Sequence, residues 1–553
     1  MDRRQALRTI DATLKAAGFV YTGPGACEYE GPIAVHGKPV QVLLKVPDVL
    51  FATKPIINLK DRSQIPAETL AHVEEITGIC YASGAGLPLD IYKPGEAILR
   101  VIDEVRRTLE LSYAGRGKQE LIDEYQQYWK PTLSVRCFLP KKEVGRKRKA
   151  SLFVASKGGE PKFVGLSEAK ELTGFEVGAI TPARVLPVQG NLHPAASITI
   201  PHQLAQLRTW YEGQAGIIDG PWAEIYNFLL DGGTCFLAAS NAFLGFRISV
   251  PAHIAAAVKK GSIRKTSLPS IVERMASSVA VERLSGRWSS LPDIVARNNP
   301  SDKNLSSWKV AIVGCGTIGS HLARLLVQTG AGCENELSLF DPEILTEGNI
   351  GRHLLGLDSV GDFKSEATAK ELKRFHPQVK INAYVDSALD RVDLLRKHDL
   401  VIDATGEWNV QSNLNNMFLN NALTDTKALL HSWVFMNGAS VQSFLNLRDE
   451  FACFRCLKPV FDGPWRFPAG DERDELNLQP ASCGDGSFIP FTVDASTTAA
   501  SLAARAALDW ANGAPGARLR TVVVDYNRGR VQKPRSPSFS PSCPACSPFR
   551  SRE

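Results

Sequence analysis

The chain has 553 residues, with 64 basic against 58 acidic side chains for a formal net charge of +6, and is 44% hydrophobic and 22% charged. At about 150 residues per domain, this length implies three or four domains, and ordinary globular usage with a mild charge excludes a nucleic-acid coat, a disordered tail protein and a collagen-like fibre. Eleven cysteines, an odd number, exclude complete internal disulfide pairing and point to thiol chemistry or metal binding.

The opening Met1-Asp2-Arg3-Arg4 enters an amphipathic pattern without the apolar core of a secretory signal. Residues 1–112 then read as one small α+β unit. Leu7, Ile10 and Leu14 predict a helix ending near Gly18, and strands are expected at Ile33–His36 and Val40–Lys45. A loop-rich stretch leads to Gly78-Ile79-Cys80, and Ile98, Ile102, Val105 and Leu109 predict a helix over Glu96–Leu111.

Residues 113–285 read as a connecting domain without visible chemistry. Their basic run, Lys141 to Lys149, precedes a strand-like Ser151–Ala155 and is read as a solvated hairpin loop. Residues 286–553 change pattern. Strands are expected at Trp308–Val313, Glu336–Phe340 and Asp399–Asp403, with helices at Ser320–Thr329 and Ala499–Trp510. That alternation predicts a Rossmann-like, doubly wound parallel sheet. The apolar stretch Ala495–Ala511 is broken by Ser501, Arg505 and Asp509, too soon for a membrane span. A cytoplasmic protein with no membrane partner and no dedicated nucleic-acid partner is expected.

Gly314, Gly316 and Gly319 form a G-x-G-x-x-G turn between a predicted strand and helix, where backbone amides face a phosphate. Asp341 ends the next strand, the place for a carboxylate that bonds ribose hydroxyls. A dinucleotide-binding Rossmann domain shows the same signs. The group Asn349, Arg352 and Lys364 tilts the choice to ATP, because attack of a carboxylate on the α-phosphate must neutralise charge on the triphosphate and on departing pyrophosphate.

Cys453-x-x-Cys456 and Cys543-x-x-Cys546 have the spacing that brings two thiolates from each turn to one tetrahedral Zn²⁺. Four sulfurs leave no open coordination position, so the zinc would be structural. Cys483 lies in the Gly-rich run Ser482–Pro490, surroundings that suit an accessible thiolate. Cys27, Cys137, Cys235, Cys315 and Cys333 are read as structural.

The runs Val310–Ser320, Leu339-Phe340-Asp341, Gly348–Arg352 and Val360–Lys364 resemble the ThiF/MoeB/ubiquitin-activating-enzyme superfamily over about 250 residues. By that resemblance Asp341 holds the ribose, Asn349, Arg352 and Lys364 contact phosphates, and Arg297 is an arginine donated across a homodimer interface. The superfamily also carries paired cysteines at the two C-x-x-C places and a loop cysteine, here Cys483, that captures the activated carboxyl group as a thioester. One departure stands out. The usual D-x-T-D for Mg²⁺ is Asp403-Ala404-Thr405-Gly406 followed by Glu407, so either Asp403 or Glu407 takes the metal, or activity is altered.

The segment around Cys80, with Pro88 and Lys93-Pro94 and the helix that follows, resembles the catalytic region of ubiquitin-conjugating enzymes. His72 is followed by Val73-Glu74 in place of the usual H-P-N, which points to a divergent bacterial branch. Cys80 would carry the thioester; His72 would orient the site, or is a histidine satisfied inside the fold. The two halves together resemble fusion proteins of bacterial CBASS antiphage operons. In that family the C-terminus of a cGAS-like nucleotidyltransferase is ligated to a target protein amine: adenylation by ATP, capture on Cys483, transfer to Cys80, amide formation. A bacterial ubiquitin-like protein is the alternative cargo, and an inert scaffold that binds a nucleotidyltransferase is the reading from another class. An activator of a cofactor sulfur carrier would not need residues 1–112.

Overall fold

The computed structural model describes residues 2–23, 27–61, 72–74, 78–81, 86–111, 117–169, 172–194, 200–299, 303–471, 479–480 and 487–550. They form two compact units. One comprises Met1–Ser134, Val144–Lys149 and Thr181–Gly286, the other Val135–Glu143, Ala150–Ile180 and Arg287–Glu553.

The first unit opens on the helix Arg3–Ala16, whose Ala6, Ile10 and Leu14 are spaced by four residues and are all buried. Asp2 caps it by accepting the Arg4 N–H at 3.3 Å. Four antiparallel strands follow in sequence order, Val20–Gly23, Glu28–Val35, Lys38–Lys45 and Ile56–Leu59. Between the second and third, His36 and Gly37 both adopt left-handed backbones (φ 46° and 75°), the two-residue turn whose twist suits a hairpin. The helix Pro94–Leu111 closes the layer, burying Ile98, Val101, Val105 and Leu109. Val101 takes the central core place expected for Ile102, which packs at the margin. Residues 117–128 add two short helices, Gly117–Asp123 and Tyr125–Tyr128. The same unit holds a second core in which Trp129, Trp210, Phe246 and Leu237 are fully buried.

In the second unit seven strands lie in one sheet. Ile381–Tyr384, Leu337–Phe340, Val310–Val313, Leu400–Asp403 and Ala428–Phe435 are parallel, in that spatial order. Every residue of the Val310–Val313, Leu337–Phe340 and Leu400–Asp403 strands is buried, as strands covered on both faces must be. Alternation divides them between two cores. Val310 and Ile312 pack with the helices Thr317–Gln328, Lys364–Phe375 and Val493–Ala511, whereas Ala311 and Val313 pack with Leu395 and the helix Trp408–Leu419. Helices on both faces make the sheet doubly wound.

The sheet is not wholly parallel. Ser440–Asn446 and Leu519–Val523 extend it as antiparallel strands. Met436, Asn437 and Gly438 are all left-handed (φ 50°, 44° and 86°), so the chain reverses in a tight hairpin instead of crossing over through a helix. Among the described residues, no helix is long and apolar enough to cross a membrane.

Candidate functional site

Four of the parallel strands end in register, at Val313, Phe340, Tyr384 and Asp403, and the nucleotide loop leaves the Val310–Val313 strand. Gly314 follows Val313 with φ +87°, and a β-carbon there would come within 2.9 Å of Thr405 Cγ2. A β-carbon on Gly319 would sit 1.8 Å from the Gly314 carbonyl oxygen, so the helix Thr317–Gln328 starts against its own loop. Gly316, which caps that helix, has open space on the side a β-carbon would occupy. The positive end of that helix therefore faces an accessible space, the arrangement that receives a phosphate.

Asp341, one residue past the neighbouring strand, is 5% exposed. Its Oδ2 accepts the Cys315 N–H at 2.7 Å and its Oδ1 the Glu343 N–H at 2.8 Å. Burial pushes its carboxyl above the usual carboxylate range, against the pull of those two hydrogen bonds and of Lys364. The Cys315 thiol is pushed well up by burial and by Asp341, which keeps it an uncharged packing group.

Lys364 is buried at the start of its helix, and its ammonium pairs with the Glu343 carboxylate. Asn349 Oδ1 accepts the Thr346 N–H and hydroxyl, both at 3.1 Å, as a capping box. Arg352 lies over the Phe491 ring at 4.5 Å and donates to the Ile489 carbonyl at 3.5 Å. It thereby reaches the chain that emerges from the Cys483 loop; Cys483 itself lies outside the described residues.

Two histidines that sequence patterns did not single out hold this site together. His353 is buried; its Nε2–H donates to the Cys315 carbonyl at 2.7 Å while its Nδ1 accepts the Leu355 N–H at 3.1 Å. Cys315 is thus gripped at both ends of its peptide, by Asp341 and by the residue beside Arg352. Burial lowers His353 from 6.5 to about 4, so its ring is neutral. His431 pairs through Nδ1 with Asp403 Oδ2 at 2.8 Å. The other Asp403 oxygen accepts the Thr405 N–H at 3.0 Å and its hydroxyl at 2.7 Å. Asp403 is fully buried; Glu407, four residues on, is exposed at the head of the helix Trp408–Leu419. Arg297 is exposed in the last turn of the helix Leu291–Asn298.

Cys453, Cys456, Cys543 and Cys546 come together, all buried, with sulfurs within 4.8 Å of one another. Cys453 Sγ is 3.8 Å from Cys456 Sγ and 3.7 Å from Cys543 Sγ, and Cys456 and Cys546 sulfurs are 3.3 Å apart. A tetrahedron of ~2.3 Å Zn–S bonds has edges of roughly 3.8 Å, so the donor set and its size fit one zinc ion. Outer donors are in place: the Ser540 N–H points to Cys456 Sγ at 3.3 Å and the Asn415 amide to Cys453 Sγ at 3.8 Å.

In the first unit, Cys80 is exposed at the end of a two-residue strand, Gly78–Ile79. Its N–H donates to the His72 carbonyl at 2.8 Å. The imidazole of His72 has Glu120 and Glu124 as neighbours, with nitrogen-to-oxygen distances of 3.4 and 3.5 Å. Cys137, Cys235, Cys315 and Cys333 are buried and Cys27 partly so.

The ThiF family profile matches residues 292–545 and that of prokaryotic E2 family B matches residues 5–137. The chain is 28% identical to the ATP-dependent ubiquitin transferase-like protein Cap2 of Pseudomonas aeruginosa, over 99% of this chain and 100% of that protein. The Cap2 protein of Escherichia coli is 30% identical over 44% of this chain and 41% of its own, and the molybdopterin-synthase adenylyltransferase of E. coli 30% over 28% and 61%. The crystal structure of E. coli MccB with ATP superposes on 46% of this chain and 70% of its own, at 17% identity and a TM-score of 0.34.

The chain is a fusion of an E2-like, ubiquitin-conjugating-enzyme-type domain with a ThiF-type adenylation domain. It is an enzyme of the ATP-dependent adenylyltransferase and ligase class.

Proposed function

We propose that this enzyme joins the C-terminus of a partner protein to a target amine by adenylation and a two-cysteine thioester relay. The observation that carries the reading is the grip on Cys315, which sets the amides of the nucleotide loop beside a buried carboxylate and the Arg352 segment. Gly314, Gly316 and Gly319 shape the phosphate cradle, Asp341 takes the ribose, and Asn349, Arg352 and Lys364 serve the phosphates. Lys364 is paired with Glu343, so it would exchange that partner for a phosphate oxygen. Asp403 has both oxygens committed internally, so exposed Glu407 is the freer carboxylate for Mg²⁺. Arg297 would act across a homodimer.

A carboxylate oxygen of the donor attacks the α-phosphorus of ATP, and pyrophosphate leaves. The Cys483 thiolate attacks the acyl carbon, forming a thioester and releasing AMP. The Cys80 thiolate then displaces Cys483, which departs as a thiolate. Finally the target amine displaces Cys80, loses a proton and leaves an amide. Exchange between thiolates is nearly isoenergetic, so the energy of adenylation is kept until the last step.

The working division is a carrier in residues 1–112, a connector in 113–285 and an activator in 286–553. Cys453, Cys456, Cys543 and Cys546 would hold a zinc ion, which would tie Cys543 and Cys546 to the turn at Cys453. The proposed donor is a cGAS-like nucleotidyltransferase in a cytoplasmic CBASS defence system, as the resemblance to the CBASS fusion proteins implies. Pyrophosphate–ATP exchange is the test. Exchange that rises above background only with the donor present supports the reading. Background exchange with a cGAS-like nucleotidyltransferase and with a ubiquitin-like protein rejects it.

A further inference from the structure

Cys80 leaves a short antiparallel ladder in which Val73 pairs with Ile79 and Glu74 with Gly78. One step beyond Val73 and Ile79, His72 and Cys80 lie opposite each other, joined by the hydrogen bond from the Cys80 N–H to the His72 carbonyl. His72 is left-handed, φ 63°. A β-carbon disfavours that backbone, which persists only where its surroundings over-determine it.

Those surroundings come from the region read as a connector. Tyr128 Oη accepts the His72 N–H at 2.7 Å. Glu120 Oε2 lies 3.4 Å from the ring Nε2, and Glu124 Oε2 lies 3.5 Å from Nδ1. The His72 side chain is 15% exposed between them, and Glu120 Oε2 is itself buried and makes no hydrogen bond among the described residues, where the imidazole is the group it faces. Glu120 lies in the helix Gly117–Asp123, Glu124 at the junction between the two short helices and Tyr128 at the end of Tyr125–Tyr128, and all three converge on His72. All three fall within the stretch matched by the E2 family.

We propose that Tyr128, Glu120 and Glu124 are positioning residues for Cys80, acting through His72. Tyr128 fixes the backbone and the two carboxylates fix the ring. The His72 carbonyl then holds the Cys80 amide and sets how the thiol is presented. The inference rests on Cys80 being the thioester carrier, and it gives residues 117–128 a part in that chemistry.

The test uses the full chain without ATP. The probe is the 2-mercaptoethanesulfonate thioester of acetylglycine. The Cys80 thiolate attacks its carbonyl carbon, a new C–S bond forms, and 2-mercaptoethanesulfonate leaves with the electron pair. Tyr128→Phe is expected to lower the limiting rate of Cys80 acylation about fivefold, the effect of one lost hydrogen bond. The half-saturating probe concentration is expected to stay within about twofold, since binding is untouched. Glu120→Ala with Glu124→Ala is expected to do the same, and Glu120→Gln with Glu124→Gln, which keeps carbonyl acceptors, to restore most of the rate.

Alkylation of Cys80 by iodoacetamide, with Cys27 as internal reference, is followed in parallel. A Tyr128→Phe chain whose Cys80 is acylated and alkylated at the wild-type rates overturns the proposal. If wild-type Cys80 is alkylated but never acylated, the carrier reading fails; the alkylation rate of Tyr128→Phe then decides the clamp, a change upholding it and an unchanged rate overturning it.

Discussion

His431 Nδ1 sits 2.8 Å from Asp403 Oδ2 with both side chains wholly excluded from solvent. A carboxylate taken out of water needs donors on each oxygen, and His431 supplies the one that Thr405 does not. Removing it in His431→Ala strands an oxygen of Asp403, at an expected cost of about 2 kcal/mol in a urea titration. Glu407→Gln touches none of these bonds. It is expected to leave stability unchanged and to raise the Mg²⁺ concentration needed for pyrophosphate exchange.

Asp341 accepts two backbone amides from the nucleotide loop and from its own turn. Asp341→Ala unties both and removes the proposed ribose partner. ATP affinity, followed by isothermal titration with a non-hydrolysable analogue, is expected to fall roughly ten- to a hundredfold, the worth of one or two hydrogen bonds to a charged group. Affinity within twofold of wild type would place the nucleotide elsewhere.

His353 makes stability depend on acid. Its folded value is depressed to about 4 from 6.5, so the unfolded chain binds the proton first. The stabilisation is present above pH 6.5 and is lost as pH falls from 6.5 towards 4, by about 3 kcal/mol in full. His353→Gln keeps a donor for the Cys315 carbonyl and does not titrate. Urea titrations between pH 7.5 and 4.5 are expected to show a shallower acid loss in the variant. Burial also lowers His321, His376 and His398, which contribute with the same sign and cancel in the difference.

The four clustered thiols are expected to hold one zinc per chain, measured by inductively coupled plasma mass spectrometry. Four thiolates this close repel one another unless a cation sits among them. Chelation is therefore expected to lower the thermal midpoint, and Cys543→Ser with Cys546→Ser to abolish zinc retention.

Much of the second unit is written in local pattern. Val310–Val313 and Leu400–Asp403 are short apolar runs because both of their faces are buried, and the glycine turn between strand and helix marks the proposed phosphate cradle. The antiparallel edge was legible too, since Asn437-Gly438 at its hairpin is the Asn-Gly pair that marks a tight reversal, but it lies outside the strand–helix alternation that defines the parallel sheet. His353 and His431 were not legible. Each acts on a residue 38 or 28 positions away, and a lone histidine in an apolar segment looks the same whether it packs or positions. Glu120, Glu124 and Tyr128 carry a helical period that any solvated face shares. Only their convergence on His72 distinguishes them.

The relay is tested most directly by trapping. The full chain is incubated with ATP, Mg²⁺ and a donor, either a cGAS-like nucleotidyltransferase or a ubiquitin-like protein, then resolved with and without thiol. The expected result is an adduct lost on reduction, which stalls on Cys483 in Cys80→Ala and is absent in Cys483→Ala. No thiol-labile adduct with either donor, from a chain that binds ATP and retains its zinc, would contradict the relay and leave a nucleotide-binding scaffold.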